Sequence, residues 1–174
     1  EPAKTAALAK SNVVDIASFG EDGYIKLISG LNAPGNPSNA AIEYAVSGFS
    51  AYATQTANED MRKMCVAAYI KVLPKLADKK NQAFIISQFD LVGKDDAVAG
   101  IQGYLADNEL ADVTVRALVK INTQASKMAL LNALPKADGQ AKISIIEGLG
   151  DAHFKPAAAA IGRLATGTDA KVVR

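Results

Sequence analysis

The chain has 174 residues and a formal net charge of +1; 49% of its residues are hydrophobic, 6% are aromatic and none is tryptophan. This neutral balance argues against a domain that binds nucleic acid or another polyanion, because such domains usually present a strongly basic face. The single cysteine, Cys65, excludes an intrachain disulfide, and no apolar run approaches the ~18 residues of a membrane-spanning helix.

Nearly every segment carries apolar residues at three- and four-residue steps, which predicts amphipathic α-helices, and no segment predicts a strand. The clearest loop is the Pro-, Gly- and Asn-rich segment 32–39. Within it, Asn36 is predicted to cap a helix whose first residue is Pro37. Asn58 is predicted to cap the following helix, and Pro74 to end or kink it. Helices are predicted over 5–19, 22–31, 40–54, 58–73, 82–92, 96–105, 111–121, 124–134 and 153–164, and one more ends at Gly150.

The second half of the chain repeats itself. Segment 81–93 is echoed at 138–150 and segment 111–116 at 169–174, so the copies lie about 57 residues apart. Another helix pair lies between them, which makes the basic unit a helix pair of about 27–30 residues. One such pair cannot bury its own apolar face, whereas stacked pairs can. The pattern therefore predicts an all-α solenoid, a right-handed superhelical stack of about five or six antiparallel helix pairs.

The whole chain, residues 1–174, is predicted to be a single helical repeat domain, since no segment has the composition of an interdomain linker. Residues 1–80 are less regular and are predicted to include the atypical capping repeat. Residues 81–174 are predicted to hold the regular repeats, with the last one incomplete. Gly93 and Gly150 are predicted to end equivalent helices, because glycine at the C′ position readily adopts a left-handed conformation.

The paired short helices, with Asp preceding Val-Arg at the start of the first helix of a pair, resemble HEAT repeats. The short period is similar to that of the HEAT-like subtype first named for bilin lyases. This resemblance implies that the recurring Asp and Arg form a structural ladder between neighbouring repeats. It is carried by Asp112, Val115, Arg116, Asp169, Val173 and Arg174, together with Gly93 and Gly150, and the implied ladder residues are Asp112, Arg116, Asp169 and Arg174.

From Leu27 to Arg174 the chain also looks like the repeat arrays of large exported bacterial proteins. In some of these proteins the array precedes a jelly-roll domain of the 3-keto-disaccharide hydrolase type. This second resemblance implies an exported or periplasmic protein. It also implies that any catalysis lies beyond Arg174.

Few residues suggest chemistry within the chain. His153 is the only histidine, so no histidine-based metal site or triad can be assembled, and it is predicted to be an exposed turn residue. Cys65 lies in an apolar helical pattern and is predicted to be a buried apolar residue. The acidic pairs 59–60 and 95–96 could serve acid/base chemistry in a cleft, but their positions favour helix N-termini. We predict no enzyme activity, metal or cofactor for this chain.

Two groups of residues are candidates for surface contacts. Lys71, Lys75, Lys79 and Lys80 form the densest basic run, which favours a solvated face, with an anionic patch on a partner as the alternative. Tyr24, Tyr52 and Tyr104 are predicted to be partly exposed, and aromatic residues are frequent at interaction hot spots.

The predicted function is that of a non-catalytic binding or scaffold module. In a solenoid the second helix of each pair lines the concave surface, and the partner is predicted to be a protein or another domain of a longer chain. The candidate contact residues are Gln102, Lys127, Lys155 and Arg163. An alternative is an accessory domain of a carbohydrate-active protein whose catalytic domain lies beyond residue 174. A nucleic-acid-binding array is a third possibility, and the charge balance argues against it.

Overall fold

The structure, a computed structural model, describes residues 6–54 and 59–165. Within these ranges the chain forms ten α-helices and four short 3-10 turns and contains no strand, which confirms the predicted all-α class. The 3-10 turns are Leu73–Lys75, Gln102–Ala106, Leu134–Lys136 and Lys155–Ala157. The helices are α1 (Ala6–Ser18), α2 (Gly20–Ile28), α3 (Asn39–Ala53), α4 (Glu59–Val72), α5 (Lys79–Val92), α6 (Asp95–Ile101), α7 (Ala111–Ile121), α8 (Gln124–Ala133), α9 (Gly139–Asp151) and α10 (Ala158–Ala165).

Two helices end in the same way, in a 3-10 turn with the sequence Leu-Pro-Lys. Pro74 follows α4 and Pro135 follows α8, and each lacks the backbone N–H that would continue the α-helix. An extended aspartate then opens the next helix in both cases. The Asp78 carboxylate accepts a hydrogen bond from the backbone N–H of Lys80 at 2.8 Å and so caps α5. The predicted helix ends at both prolines are therefore confirmed.

The start of α3 differs from the prediction. Asn36 does accept a hydrogen bond through its side chain, from the backbone N–H of Ser38 at 2.9 Å. That bond closes a turn that precedes the helix, and α3 itself begins at Asn39 and not at Pro37. The Asn39 N–H donates to the carbonyl of Asn36 at 3.0 Å, which completes the turn. The predicted cap of α4, Asn58, lies outside the described residues.

The helices contact one another in two series. α1, α3, α5, α7 and α9 each pack against the next member of that series, and α2, α4, α6 and α8 do the same; we call these the odd row and the even row. The two rows also pack on each other, for example through α3 with α4 and α7 with α8. One cluster of buried apolar side chains extends from Val13 to Ala157 and includes residues from both rows.

The structure differs from the prediction that Gly93 and Gly150 end equivalent helices in a left-handed conformation. Gly93 does end α5, but its φ is −69°, so it is extended and not left-handed. Glycine is needed there for space, because a Cβ would lie 2.5 Å from the carbonyl oxygen of Phe89 and 2.9 Å from the side chain of Ile121. Gly150 lies inside α9 and does not end it. The left-handed residue after α9 is His153, with φ 48°.

The end of α9 explains why His153 takes that conformation. The N–H of His153 donates to the carbonyl of Gly150 at 2.9 Å, and the N–H of Phe154 donates to that of Leu149 at 3.1 Å. These two bonds are those of a Schellman motif, in which the left-handed residue usually is glycine. The exposed imidazole also contacts the Gly150 carbonyl through Nδ1 at 2.9 Å. His153 therefore is an exposed turn residue, as predicted, and its conformation adds a structural role.

Candidate functional site: surfaces, clusters and a groove

Of the four predicted contact residues, Lys127 lies on a helix of the even row and Gln102 directly follows one, whereas Lys155 and Arg163 lie later in the chain, before and on α10. Gln102 is exposed in the 3-10 turn after α6, and Lys127 is half-buried on α8, which packs against both α6 and that turn. Lys155 is exposed in the turn before α10. Arg163 is exposed on α10, and its Nε donates to the carbonyl of Ala159 at 3.2 Å. The structure thus brings together the two elements that carry Gln102 and Lys127. The role of all four residues in binding a partner stays a prediction.

Half of the predicted Asp–Arg ladder can be located. The Arg116 guanidinium lies 3.4 Å from the Asp112 carboxylate, both side chains are about two-thirds exposed, at 64% and 66%, and both belong to α7. This ion pair therefore runs along one helix and does not itself bridge two helices. Arg116 also lies close enough to α5 to affect Asp90, whose pKa is raised by desolvation and lowered in part by Arg116 and Lys120. Asp169 and Arg174 lie outside the described residues.

A buried arginine that the sequence analysis missed links three helices. Arg62 of α4 is 5% exposed. Its Nη1 donates to the carbonyl of Val92 at the end of α5 at 2.8 Å, and its Nη2 lies 2.7 Å from the Asp96 carboxylate on α6. Glu59 accepts from the same guanidinium at 2.9 Å, and Lys94 also binds Glu59 at 2.9 Å. We call these four charged side chains the Arg62 cluster.

The Arg62 cluster revises the prediction for the two acidic pairs. Both pairs do lie in the first turns of helices, α4 and α6. Neither Glu59 nor Asp96 acts there as a side-chain cap in the described contacts; each one binds Arg62 instead. A sequence signal existed, since Arg62 shares a helical face with Cys65, Val66 and Tyr69. An arginine on an apolar face points to a buried ion pair.

We expect Arg62→Met to lower the free energy of unfolding by about 1–2 kcal/mol, because it removes charge-assisted hydrogen bonds and leaves the Val92 carbonyl without its donor. The loss is limited because Glu59 and Asp96 are 46% and 40% exposed and can be rehydrated. The matched control, Arg116→Met, breaks an exposed pair and is expected to cost about 0.5 kcal/mol or less. Urea unfolding of the two variants measures both values, and equal losses would contradict the assignment.

Acid should weaken the Arg62 cluster. Hydrogen bonds from Arg62 and Lys94 lower the pKa of Glu59 from 4.5 to about 2. Since the folded value lies below the unfolded one, this stabilisation is complete above about pH 5 and is lost as the pH falls through about 2. We expect the difference in unfolding free energy between wild type and Glu59→Gln to shrink from pH 5 to pH 2. A difference that stays constant over this range would show that Glu59 is not held by these cations.

A chain of hydroxyl groups lies in the core between α2, α3 and α4. The Tyr69 hydroxyl lies 2.7 Å from that of Tyr24 and 2.6 Å from Ser50 Oγ, and all three residues are 0% exposed. The aromatic rings of Phe49 and Phe89 pack against Tyr24 and Tyr69, at centroid distances of 4.7 and 5.6 Å. Tyr24 is therefore not partly exposed as predicted, because its hydroxyl has a partner inside the core. Tyr52 and Tyr104 are half-buried, as predicted.

The chemistry of this hydroxyl chain is that of neutral groups. Burial raises the pKa of both Tyr24 and Tyr69 far above the ordinary phenol value. Burial also raises the pKa of the neighbouring Cys65 thiol to about 12, against a smaller opposing effect of its hydrogen bond to Tyr69. Cys65 is fully buried, as predicted. At neutral pH none of these groups ionises, so their role is in stability.

We expect Cys65 to resist thiol reagents in the folded protein. With a pKa of about 12, only about one thiol in 10⁴ is ionised at pH 8, and the side chain has no exposed surface. Reaction with 5,5′-dithiobis(2-nitrobenzoate) should therefore be slow in buffer and complete within minutes in urea. Rapid labelling of the native protein would contradict the burial of this thiol.

An open groove of about 460 Å³ lies beside the loop between α2 and α3. It is lined by residues of segments 29–33 and 72–78 and by Asn81 of α5. Amide groups fix the loop that forms one wall: the Asn32 N–H donates to Asn39 Oδ1 at 2.8 Å, and the Asn32 carbonyl accepts from both Asn39 Nδ2 and Asn81 Nδ2, at 3.0 and 2.8 Å. Asn39 and Asn81 are 3% and 6% exposed, so this support is part of the fold.

The predicted basic run is divided by the structure. Lys71 forms an ion pair with Glu21 of α2, and Lys79 forms one with Asp107 in the segment before α7. Lys75 lines the groove and is exposed. All four lysines of the run are exposed, as predicted, and two of them also pair with carboxylates on neighbouring parts of the fold.

The chain matches no family model, no curated protein and no solved structure. Its described helices include none with both the length and the apolar character that crossing a bilayer demands. Within 6–54 and 59–165, no three His, Cys, Asp or Glu side chains come together in a way that would hold a metal ion.

Proposed function

We propose that the chain is an α-solenoid of HEAT-like antiparallel helix pairs that binds a protein partner through the even row. The observation that carries this proposal is the contact pattern, in which each helix of a row packs against the next helix of the same row. Such stacking turns a series of helix pairs into an extended surface, and repeat proteins of this kind use that surface for binding.

The side chains of the even row support this proposal. Gln102 and Lys127 sit on packed elements, and Met128 of α8 is 36% exposed although it is apolar. Polar groups around a flexible apolar side chain suit a contact surface, because methionine adapts its shape to a partner. The surface is built on helices fixed by the core, so binding would require little ordering of the chain.

A pair of matched double variants tests the proposal. Gln102→Glu with Lys127→Glu changes α8 and the turn that follows α6, which we call the even-row variant, and Gln140→Glu with Lys120→Glu makes the same exchanges on α9 and α7 of the odd row. Proteins captured by the wild-type chain from an extract of its own organism are identified by mass spectrometry, and circular dichroism establishes that both variants melt like wild type. We expect a partner whose affinity falls about tenfold or more with the even-row variant only. Equal losses in both variants, or no loss in either, would reject the even row as the binding surface.

A further inference from the structure

We propose that the odd row opens and closes between α3 and α5, and that Gln88 keeps this contact weaker than the others in the row. The observation that points to this joint is a buried amide oxygen. Gln88 is 6% exposed, yet its Oε1 has no hydrogen-bond partner in the described part of the chain. Such an oxygen destabilises the closed arrangement, and water can bind it once the helices separate.

Gln88 lies on the side of α5 that faces α3. It follows Asn81 by seven residues, or about two helical turns, so the two side chains share a face of α5. Asn81 Nδ2 donates to the Asn32 carbonyl, which also accepts from Asn39 at the start of α3. Because α3 packs against α5, this shared face is the α3–α5 contact.

The hydrogen bonds of Gln88 stay within its own helix. Its Nε2 donates to the Phe84 carbonyl and to Ser87 Oγ, each at 3.3 Å, and both residues belong to α5. None of the described hydrogen bonds of Gln88 reaches α3. The side chain therefore occupies the contact without linking the two helices.

The equivalent residue of α9 shows a closer contact. Gln88 and Gly148 each follow the aspartate that opens the helix, Asp78 or Asp138, by ten residues. The backbone at Gly148 lies so close to Val115 of α7 that a Cβ would collide with it. In α5 a long polar side chain takes the place of this glycine. At this position the α7–α9 contact is thus close and apolar, whereas the α3–α5 contact contains an unpaired polar group.

The even row holds the other side of the joint. Ile70 of α4 packs on Gly100 of α6, where a Cβ would also collide. Arg62 of α4 binds the Val92 carbonyl and Asp96, so α4 is fixed to α5 and α6. The opening is therefore a hinge motion about α4 that separates α3 from α5. It changes the curvature of the even row, on which the proposed binding surface lies, but it does not depend on that function.

Distances between spin labels test for the opening. Ala51→Cys with Lys120→Cys places labels on α3 and α7, and Leu91→Cys with Glu147→Cys places them on α5 and α9, all at exposed positions. Each pair spans one intervening helix, but only the first crosses the α3–α5 contact, so the second is the matched control. Cys65 is 0% exposed and stays unlabelled. We expect double electron–electron resonance to give a distance distribution about twofold or more wider for the first pair.

Two glutamine variants of α5 connect the opening to Gln88. Gln88→Met keeps the length of the side chain and removes the unpaired oxygen, so it should narrow the first distribution to the width of the control and raise Tm by about 2–4 °C. Gln82 also has an unpaired Oε1, but its Nε2 donates to the carbonyls of Leu73 and Leu76 at 3.2 and 3.0 Å. Gln82→Met should therefore lower Tm and leave the first distribution wide.

Three results would overturn the proposal. The first is equal widths for the two label pairs in the otherwise wild-type chain, which needs no glutamine variant. The second is a wide first distribution that Gln88→Met does not narrow. The third is a Tm of Gln88→Met below that of wild type, because it would show that the buried amide strengthens the α3–α5 contact.

Discussion

Replacing Tyr69 by phenylalanine is expected to lower the free energy of unfolding by about 2–4 kcal/mol, although the change removes a single oxygen atom. The Tyr69 hydroxyl is the middle of the chain formed with Tyr24 and Ser50, and both partners are completely buried. Without it, the two outer hydroxyls lose their only described hydrogen-bond partner in a site that water does not reach. Leaving a buried polar group unpaired costs about 1–3 kcal/mol.

The outer members of the hydroxyl chain provide the controls. Tyr24→Phe and Ser50→Ala each leave Tyr69 hydrogen-bonded to the other hydroxyl of the chain, so each should cost less than Tyr69→Phe, about 1–1.5 kcal/mol. The triple variant, which removes all three hydroxyls, should be less destabilised than the sum of the single variants, because no polar group is then left unpaired. Urea unfolding of the five proteins measures these values. Additive effects, or a Tyr24→Phe loss as large as that of Tyr69→Phe, would contradict the geometry of the chain.

Alanine substitutions at two glycines of α9 are expected to have opposite effects. A Cβ at Gly148 would lie well inside van der Waals distance of Val115 Cγ1 and 3.3 Å from Val119 Cγ2, both on α7. Valine side chains are stiff at χ1, so α7 and α9 would have to move apart. We therefore expect Gly148→Ala to cost about 1–3 kcal/mol, the usual range for overpacking.

Gly150, two residues further along the same helix, is the matched control. It is exposed, and a Cβ there would have nothing within 4 Å. Alanine favours the helix over glycine by about 0.5–1 kcal/mol, so Gly150→Ala should be neutral or stabilising. Thermal melting of the two variants should move Tm in opposite directions. If Gly148→Ala melts at or above the wild-type temperature, the close packing of α7 on α9 described above is wrong.

Local features of the fold were predictable from the sequence, and long-range ones were not. Pro74 and Pro135 end their helices because proline itself lacks the backbone N–H, an effect that depends on no distant residue. The prediction that Gly93 ends α5 is correct, but the predicted reason is wrong. Glycine is required there because a Cβ would collide with Ile121 on another helix, and not because the backbone is left-handed. The prediction that Gly150 ends its helix is wrong. The left-handed residue after α9 is His153, and its position is set by the hydrogen bonds that the N–H groups of His153 and Phe154 donate to the end of the helix.

The candidate sites depend on residues far apart in the chain. Arg62 meets Asp96 across 34 residues, and Tyr24 meets Tyr69 across 45. Periodicity locates a residue on a face of its own helix but does not identify the helix opposite. The groove likewise joins segments 29–33 and 72–78, which share no motif.

The contact pattern of the helices also bears on how the chain folds as it is made. The main helix contacts join neighbours or next neighbours along the chain, as α5 does with α4 and α7. Only short segments therefore have to form loops before these contacts can be made. This lowers the entropic part of the folding barrier and favours fast folding. Each helix can dock on the preceding ones as soon as it leaves the ribosome. The hydroxyl chain near α2 and α4 would then be assembled early and would anchor the later helices during synthesis.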